Sequence, residues 1–433
     1  MTSPPHSPAR PAGALAALAF LLNAAACETA PPADAAPQVA ADRYFDADTA
    51  YFRRDFASGS VASALSQIVA NRPGAAAALE AALAMENDEA LTARLGPLVV
   101  REHIVDYDYG AAALAADRLG LTAALNPVQR AYGAFPAPRA EADTNVIEVP
   151  YSDGKIPARI NGVDVTVVFD TGAPNIGLQT ELVERLGLTV DRSVSRTSRV
   201  PAYGLEFPVY AALIDEFQIG GLTIFNAPAN FGDVPEDQRA AAEALREATG
   251  GAEVITGLDA IRPFVDVIAF DWDAGVIRIT VEAGGPPPPT NYILNPGRAP
   301  VFKITAGART TNLSFDSGAY GHLLGPETLD AAPRFGRRLY DRGDFQFTEA
   351  LIGLTIEGAG PIALWASGRR FAEDPNLGVS GVLGVLNDGV LTLDLRSRHL
   401  SIAGYDPAEA TYAFAPIEEE IDEDVLAFTR PAQ

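Results

Sequence analysis

Two short segments of this chain repeat one another, and they constrain its fold more than any other feature. Val167-Val168-Phe169-Asp170-Thr171-Gly172-Ala173 and Leu313-Ser314-Phe315-Asp316-Ser317-Gly318-Ala319 each carry a β pattern into Asp, a hydroxyl residue, Gly and Ala. An apolar element containing glycine follows each one: Val254-Ile255-Thr256-Gly257-Leu258 in the first case, Gly381-Val382-Leu383-Gly384-Val385 in the second. Further strand signals come next, from Val267 to Ile279 and from Val390 to Ile402. The same signposts in the same order predict two homologous β lobes. Between them stand Pro286 to Pro289, which no strand can run through, so residues 284–296 read as a stiff linker. The stretch from Asp170 to Gly257 is longer than that from Asp316 to Gly384, and the polar, Ala-rich run Pro235 to Thr249 accounts for the excess as an inserted surface helix. Asn161-Gly162, between two apolar runs, predicts a tight hairpin.

A lone Asp-[Thr/Ser]-Gly is a turn signal, since these residues are common in turns. Two such triplets, each with Phe before and Ala after, in matching lobes, point to chemistry. Two carboxyls held together cannot both ionise, so one becomes an acid and the other a base, and the pair can activate a water and protonate a carbonyl. Gly172 and Gly318 allow tight loops and close backbone approach, Phe169 and Phe315 end core strands, and Ala173 and Ala319 are close-packing positions.

From Val146 to Tyr405 these motifs resemble the retropepsin-like aspartic peptidases. The resemblance implies a mainly β fold, two acid-protease barrel lobes forming a pseudo-dimer, with Asp170 and Asp316 as the catalytic pair. It implies that the Thr171 and Ser317 hydroxyls bond across to the facing loop, that Gly172, Ala173, Gly318 and Ala319 complete the loops, and that strands at Gly257 and Gly384 pass beside them. Thr256 departs from the purely apolar pattern of such a strand. Flaps are expected near Ser198 to Leu205, with Tyr203-Gly204 at the tip, and near Arg342 to Thr348, with Phe345 and Phe347. The implied activity is endopeptidase hydrolysis of a peptide or protein substrate, without cofactor. The alternative is a catalytically silent version of the fold serving as a peptide-binding or scaffold module in the cell envelope. Which carboxyl holds the proton stays open, because the pair titrates as a unit. Two lobes on one chain build the site without a partner, so a monomer is expected.

Upstream, Arg10 precedes an apolar run from Ala14 to Leu22 and the small residues Ala24-Ala25-Ala26, which reads as a signal peptide over 1–26. Cys27, the only cysteine, resembles the lipidated residue of a bacterial lipobox, although Ala24 stands where Leu is usual; cleavage after Ala26 without lipid is the alternative. Lipidation would place the protein in the periplasm or outer membrane, anchored through residues 27–43, an Ala/Pro-rich tether. Residues 44–135 read as a small α-helical domain whose role the sequence does not disclose, Ala134 to Ala142 as a linker, 145–283 and 297–407 as the lobes, and 408–433 as an acidic tail.

The formal net charge of -24 offers no clustered Lys and Arg for nucleic acid. The four histidines have no metal-ligand spacing, so no metal site is expected. His322, six residues past Asp316, reads as a partly exposed histidine at a strand or helix edge, with a substrate-side or pH-sensing role as the alternative. Arg369-Arg370 reads as an exposed charge pair, and Asp271 and Asp394 as turn residues.

Overall fold

The computed structural model describes residues 59–429 apart from 70, 73, 174, 180, 201–203, 249–250, 295–298, 320, 342–345, 369–378, 410–415 and 423. The signal peptide, Cys27, Tyr203, Phe345 and Arg369-Arg370 lie outside the described residues.

Five helices open the described chain: α1 (Gly59–Val69), α2 (Ala75–Glu86), α3 (Glu89–Val105), α4 (Tyr109–Arg118) and α5 (Pro127–Tyr132). Their starts follow from side-chain caps. Asp88 accepts from the Leu91 N–H at 3.0 Å and Asp108 from that of Ala111 at 2.8 Å. Asn126 and Gln129 close a capping box ahead of Pro127. These helices are not a free-standing unit. Leu65, Leu79 and Leu95 share a core with Ile293 and Val301 of the second lobe, while Val100, Tyr109 and Tyr132 pack with Ala211 of the first. Two buried charge contacts reinforce this. Glu102 pairs with Arg398 of the second lobe at 2.5 Å, and Arg262 of the first donates to the Val105 carbonyl at 2.6 Å.

The first lobe contains β1 (Arg139–Ala142), β2 (Val146–Pro150), β3 (Lys155–Ile160), β4 (Val163–Phe169), β5 (Ile176–Leu178), α6 (Leu182–Leu186), β6 (Thr189–Val200), β7 (Leu205–Ile219), β8 (Leu222–Gly232), α7 (Arg239–Ala248), β9 (Val254–Thr256), β10 (Val267–Asp271) and β11 (Val276–Thr280). The second contains β12 (Tyr292–Leu294), β13 (Pro300–Ala306), β14 (Arg309–Phe315), β15 (His322–Leu324), α8 (Pro326–Ala331), β16 (Arg334–Asp341), β17 (Gln346–Ile356), β18 (Gly360–Gly368), β19 (Val379–Leu383), β20 (Val390–Asp394) and β21 (His399–Ala403). After it come β22 (Glu418–Ile421) and α9 (Asp424–Thr429).

Each lobe closes a six-stranded barrel. In the first the order β8-β5-β9-β4-β3-β7 returns to β8; in the second β13-β14-β19-β15-β18-β17 returns to β13. The fold is thus mainly β with two matching barrels. A third sheet, β2-β11-β10-β20-β21, joins the lobes, with β10 antiparallel to β20. Alternation explains the burial: along β3, Ile156, Ala158 and Ile160 face the core and Pro157 and Arg159 face out. The Asn161-Gly162 turn has positive φ at both residues, 49° and 79°, as a two-residue hairpin of this twist requires.

Some stretches that read as linker are ordered strand. Arg139–Ala142 pairs with β8, and Tyr292–Leu294 pairs with β13, because the prolines beside them lie just outside the ladders. The acidic tail adds β22 to the edge of β16 and lays α9 over β17 and β18. The inserted helix forms as α7. Asp271 and Asp394 are the last residues of β10 and β20, and their carboxylates accept from the Ala274 and Ser397 N–H groups of the turns that follow.

Candidate active site

Each Asp loop is set by a parallel pair of short strands. β4 runs parallel to β9, and the Asp170 N–H donates to the Thr256 carbonyl at 2.8 Å. β14 runs parallel to β19, and the Asp316 N–H donates to the Leu383 carbonyl at 3.0 Å. The glycines after these acceptors are required by close approach. A Cβ on Gly257 would sit 1.8 Å from the Ala173 carbonyl oxygen, and one on Gly384 2.4 Å from that of Ala319.

The two loops lock together at the lobe boundary. The Thr171 hydroxyl donates to the Phe315 carbonyl at 3.1 Å and accepts from the Ser317 N–H at 2.9 Å. Reciprocally, the Ser317 hydroxyl donates to the Phe169 carbonyl at 2.8 Å and accepts from the Thr171 N–H at 3.0 Å. Four buried bonds, two in each direction, make a local two-fold axis. Phe169 and Phe315 both pack against Phe270 behind it.

The carboxyls converge on this axis. A Cβ on Gly318 would meet the Asp170 carboxyl carbon at 2.6 Å, so the Asp170 side chain lies against the opposite lobe's loop and only glycine leaves it room. Asp170 and Asp316 hydrogen-bond to each other, and both are buried, at 1% and 4% exposure. The Gly172 and Ala173 N–H groups donate to Asp170 Oδ1 at 2.7 and 3.1 Å, and the Gly318 N–H to Asp316 Oδ1 at 2.9 Å. Burial raises the Asp170 carboxyl well above its ordinary range, with the facing Asp316 charge adding to the effect. Burial also raises Asp316, while the hydrogen bond from Asp170 opposes the rise. Burial and mutual proximity thus both oppose simultaneous ionisation of the two carboxyls.

In the hairpin β6–β7 Gly204 precedes β7 with φ of 66°, and in the hairpin β16–β17 Phe347, the second residue of β17, is stacked on Tyr340 at 4.7 Å. Beside β6–β7 lies a groove of about 180 Å³ lined by residues of the first Asp loop, β5, the β6–β7 hairpin, β8 and α7, Ala173 among them. His322 differs from its sequence reading: it is 1% exposed, because it opens β15 inside the barrel. Its Nδ1 accepts from the Gly384 N–H at 3.1 Å, its Nε2 has no partner among the described residues, and burial lowers its pKa to about 3. Sequence reasoning did not single out Asn175, Asn230, Tyr109, Tyr132 or Glu349, all of which border these features; nothing in local periodicity marks them. No cluster of potential metal ligands occurs among the described residues.

A family model described as aspartyl protease matches residues 156–251, within the first lobe. No curated protein matches the chain. Among solved structures, a retropepsin-like aspartic protease from Rickettsia conorii is similar at 16% identity with a TM-score of 0.21, over 33% of this chain and 91% of that one. An aspartic proteinase from Irpex lacteus is similar at 13% identity with a TM-score of 0.39, over 61% of this chain and 100% of the other. With twin barrels meeting at paired Asp loops and the first barrel matching the aspartyl protease model, the chain has an aspartic-protease fold of the pepsin and retropepsin type.

Proposed function

We propose that this protein is an aspartic endopeptidase in which Asp170 and Asp316 share one proton and act together on a water. The observation that carries the reading is the contact of the Asp170 carboxyl with the Gly318 loop of the other lobe, beside Asp316. The ionised carboxyl takes a proton from the water as its oxygen bonds to the scissile carbonyl carbon. The protonated carboxyl gives its proton to the carbonyl oxygen, leaving a neutral gem-diol. In the second step a diol hydroxyl returns its proton to a carboxylate, the other carboxyl protonates the amide nitrogen, and the C–N bond breaks. The dyad ends with one proton, as it began. The four-bond lock between Thr171 and Ser317 supports this reading by holding the carboxyls in register without a fresh ordering cost.

The chain, on this reading, works as a monomer at the cell envelope, exported by residues 1–26 and tethered by lipid on Cys27. Fractionation of a Cys27→Ser variant is expected to move the protein out of the membrane pellet; retention there removes the lipid.

The test of the chemistry is cleavage of a peptide library by wild type, Asp170→Asn and Asp316→Asn, at acidic and neutral pH. Each variant is expected to lose about 100-fold or more in kcat. It should also unfold at higher temperature than wild type at neutral pH, because a raised carboxyl pKa costs stability as pH rises through it and asparagine does not ionise. Equal cleavage by all three proteins assigns the activity elsewhere.

A further inference from the structure

We infer that the N-terminal helices belong to the substrate-binding apparatus: Tyr109 and Tyr132 orient the carboxamides of Asn175 and Asn230 so that their N–H groups bind carbonyl oxygens of an extended peptide in the first-lobe groove. This rests on the peptidase reading above.

Ala173, whose N–H holds Asp170, is one of the residues lining the groove, so the groove lies beside the first Asp loop. Val200, Leu205, Phe207 and Val209 from the hairpin and Ala242 and Leu245 from α7 give it apolar wall, and Arg196, Arg239, Glu243 and Arg246 line it as well. Asn175 and Asn230 stand on the sheet side of the same groove. The Asn175 carboxamide is buried, at 5% exposure, and needs a partner, and that of Asn230 is half-buried. The Tyr109 hydroxyl bonds to Asn175 Oδ1 at 3.1 Å, and the Tyr132 hydroxyl to Asn230 Oδ1 at 2.6 Å. The two rings meet edge to face at 4.9 Å, and each is 3% exposed. They come from the first residue of α4 and the last of α5, whose positions are fixed by the caps at Asp108 and Asn126.

A phenol that occupies the amide oxygen decides which way the amide points, leaving the nitrogen as the group presented elsewhere. The Asn175 amide nitrogen has no partner among the described residues. Register sets the spacing. Gly177 stands opposite Asn230, and Asn175 lies two residues before Gly177 at the entry to β5, at most roughly 7 Å along the chain from it. Alternate residues of an extended peptide repeat every 6.6 Å or so. Two donors at that spacing match two successive carbonyls on one edge of a bound strand, with an apolar side chain between them in the groove.

The experiment uses full-length protein and a peptide that the wild type cleaves, chosen from a random-sequence library, together with versions shortened from each end. Tyr109→Phe and Tyr132→Phe remove only the hydroxyls. KM for the long peptide is expected to rise about fivefold for each variant, with kcat within about twofold. The version shortened on the groove side should show no further penalty from the substitutions, since it no longer reaches the amides. Binding of the long peptide to Asp170→Asn, with and without Tyr109→Phe, should show the same loss without turnover. Equal penalties on long and short peptides, or none on either, overturn the inference while leaving the peptidase reading intact. Absence of any peptide binding or cleavage by the wild type overturns both.

Discussion

The two lobes treat the same surface differently. In the first, Ile176 pairs with Ala229, which pairs with Ala212; in the second, His322 pairs with Ala366, which pairs with Ala350. Register therefore equates Ile176 with His322, Ala211 with Glu349 and Pro228 with Trp365. On the first lobe this outer face is built of small residues, is partly roofed by the N-terminal helices, and opens into the groove beside Ala173. On the second it is filled: Trp365 is fully buried, Arg338 lies over it at 4.0 Å, and β22 and α9 close the edge and the face. The halves agree where they meet, at the four-bond lock, because two-fold geometry there aligns the carboxyls. They differ where no symmetry is required.

His322 is the sharpest break in the comparison, a buried imidazole where the first lobe has Ile176. An unfolded histidine gains its proton near pH 6.5, whereas this one gains it near 3. Between those values the unfolded chain binds more protons, so stability is present above pH 6.5 and drains away as pH falls towards 3. At about 1.4 kcal/mol per pH unit, the full loss is on the order of 5 kcal/mol. His322→Ile is expected to flatten this acid limb, at a cost of about 1–3 kcal/mol near neutrality for leaving the Gly384 N–H unpaired. Urea unfolding at pH 7.5 and pH 4 measures both effects. Parallel pH profiles for the two proteins would mean that His322 takes up its proton without cost.

Glu349 works in the opposite sense. Burial pushes its carboxyl up to about 7, while Tyr340 and Arg338 pull the other way. Its pKa exceeds the unfolded value, so its contribution is complete below about pH 4.5 and is lost as pH rises through 7. The loss is roughly 3 kcal/mol at pH 8.5. Glu349→Gln should match wild type at pH 4 and unfold later than it at pH 8.5. Thermal melts across that range decide the matter, and an unchanged difference at both ends would show that Glu349 titrates in the folded protein as it does in the unfolded chain.

How much of this could be read in advance depends on the range of the interaction. Phe169, Phe315, Gly257 and Gly384 were legible because strand periodicity and a glycine beside an apolar run are local signals. The inserted α7 was legible as a length difference between repeats. Tyr109 and Tyr132 were not: each meets its asparagine across a long span of chain, at the end of a helix whose own pattern shows only packing. Glu349 looks like a solvent-facing strand residue, but the fold buries it beside Tyr340 and Arg338. Glu418 to Glu420 look like a solvated tail until they pair with Arg337 and Arg338. His322 follows the second Asp-Ser-Gly triplet and drew a surface reading, because nothing in six residues says that β15 turns into the barrel.

The same β16–β22 pairing supplies the smallest expected effect. Arg338 and Glu419 meet at 2.7 Å, with Arg338 only 5% exposed and stacked on Trp365. Its neighbours Arg337 and Glu418 meet at 3.2 Å with both side chains more than half exposed. Distance alone would rank the pairs alike; burial separates them. Arg338→Ala removes a desolvated cation–π contact and a charged hydrogen bond, and is expected to cost about 2 kcal/mol. It should also raise the Glu349 pKa further, since a cation that favours its ionised form is gone. Arg337→Ala exchanges one hydrated charge for another and is expected to change stability by less than about 0.5 kcal/mol. If the two substitutions cost the same in denaturant titrations, the tail is held to the second lobe by its backbone ladder, and the filled face contributes nothing specific to holding it.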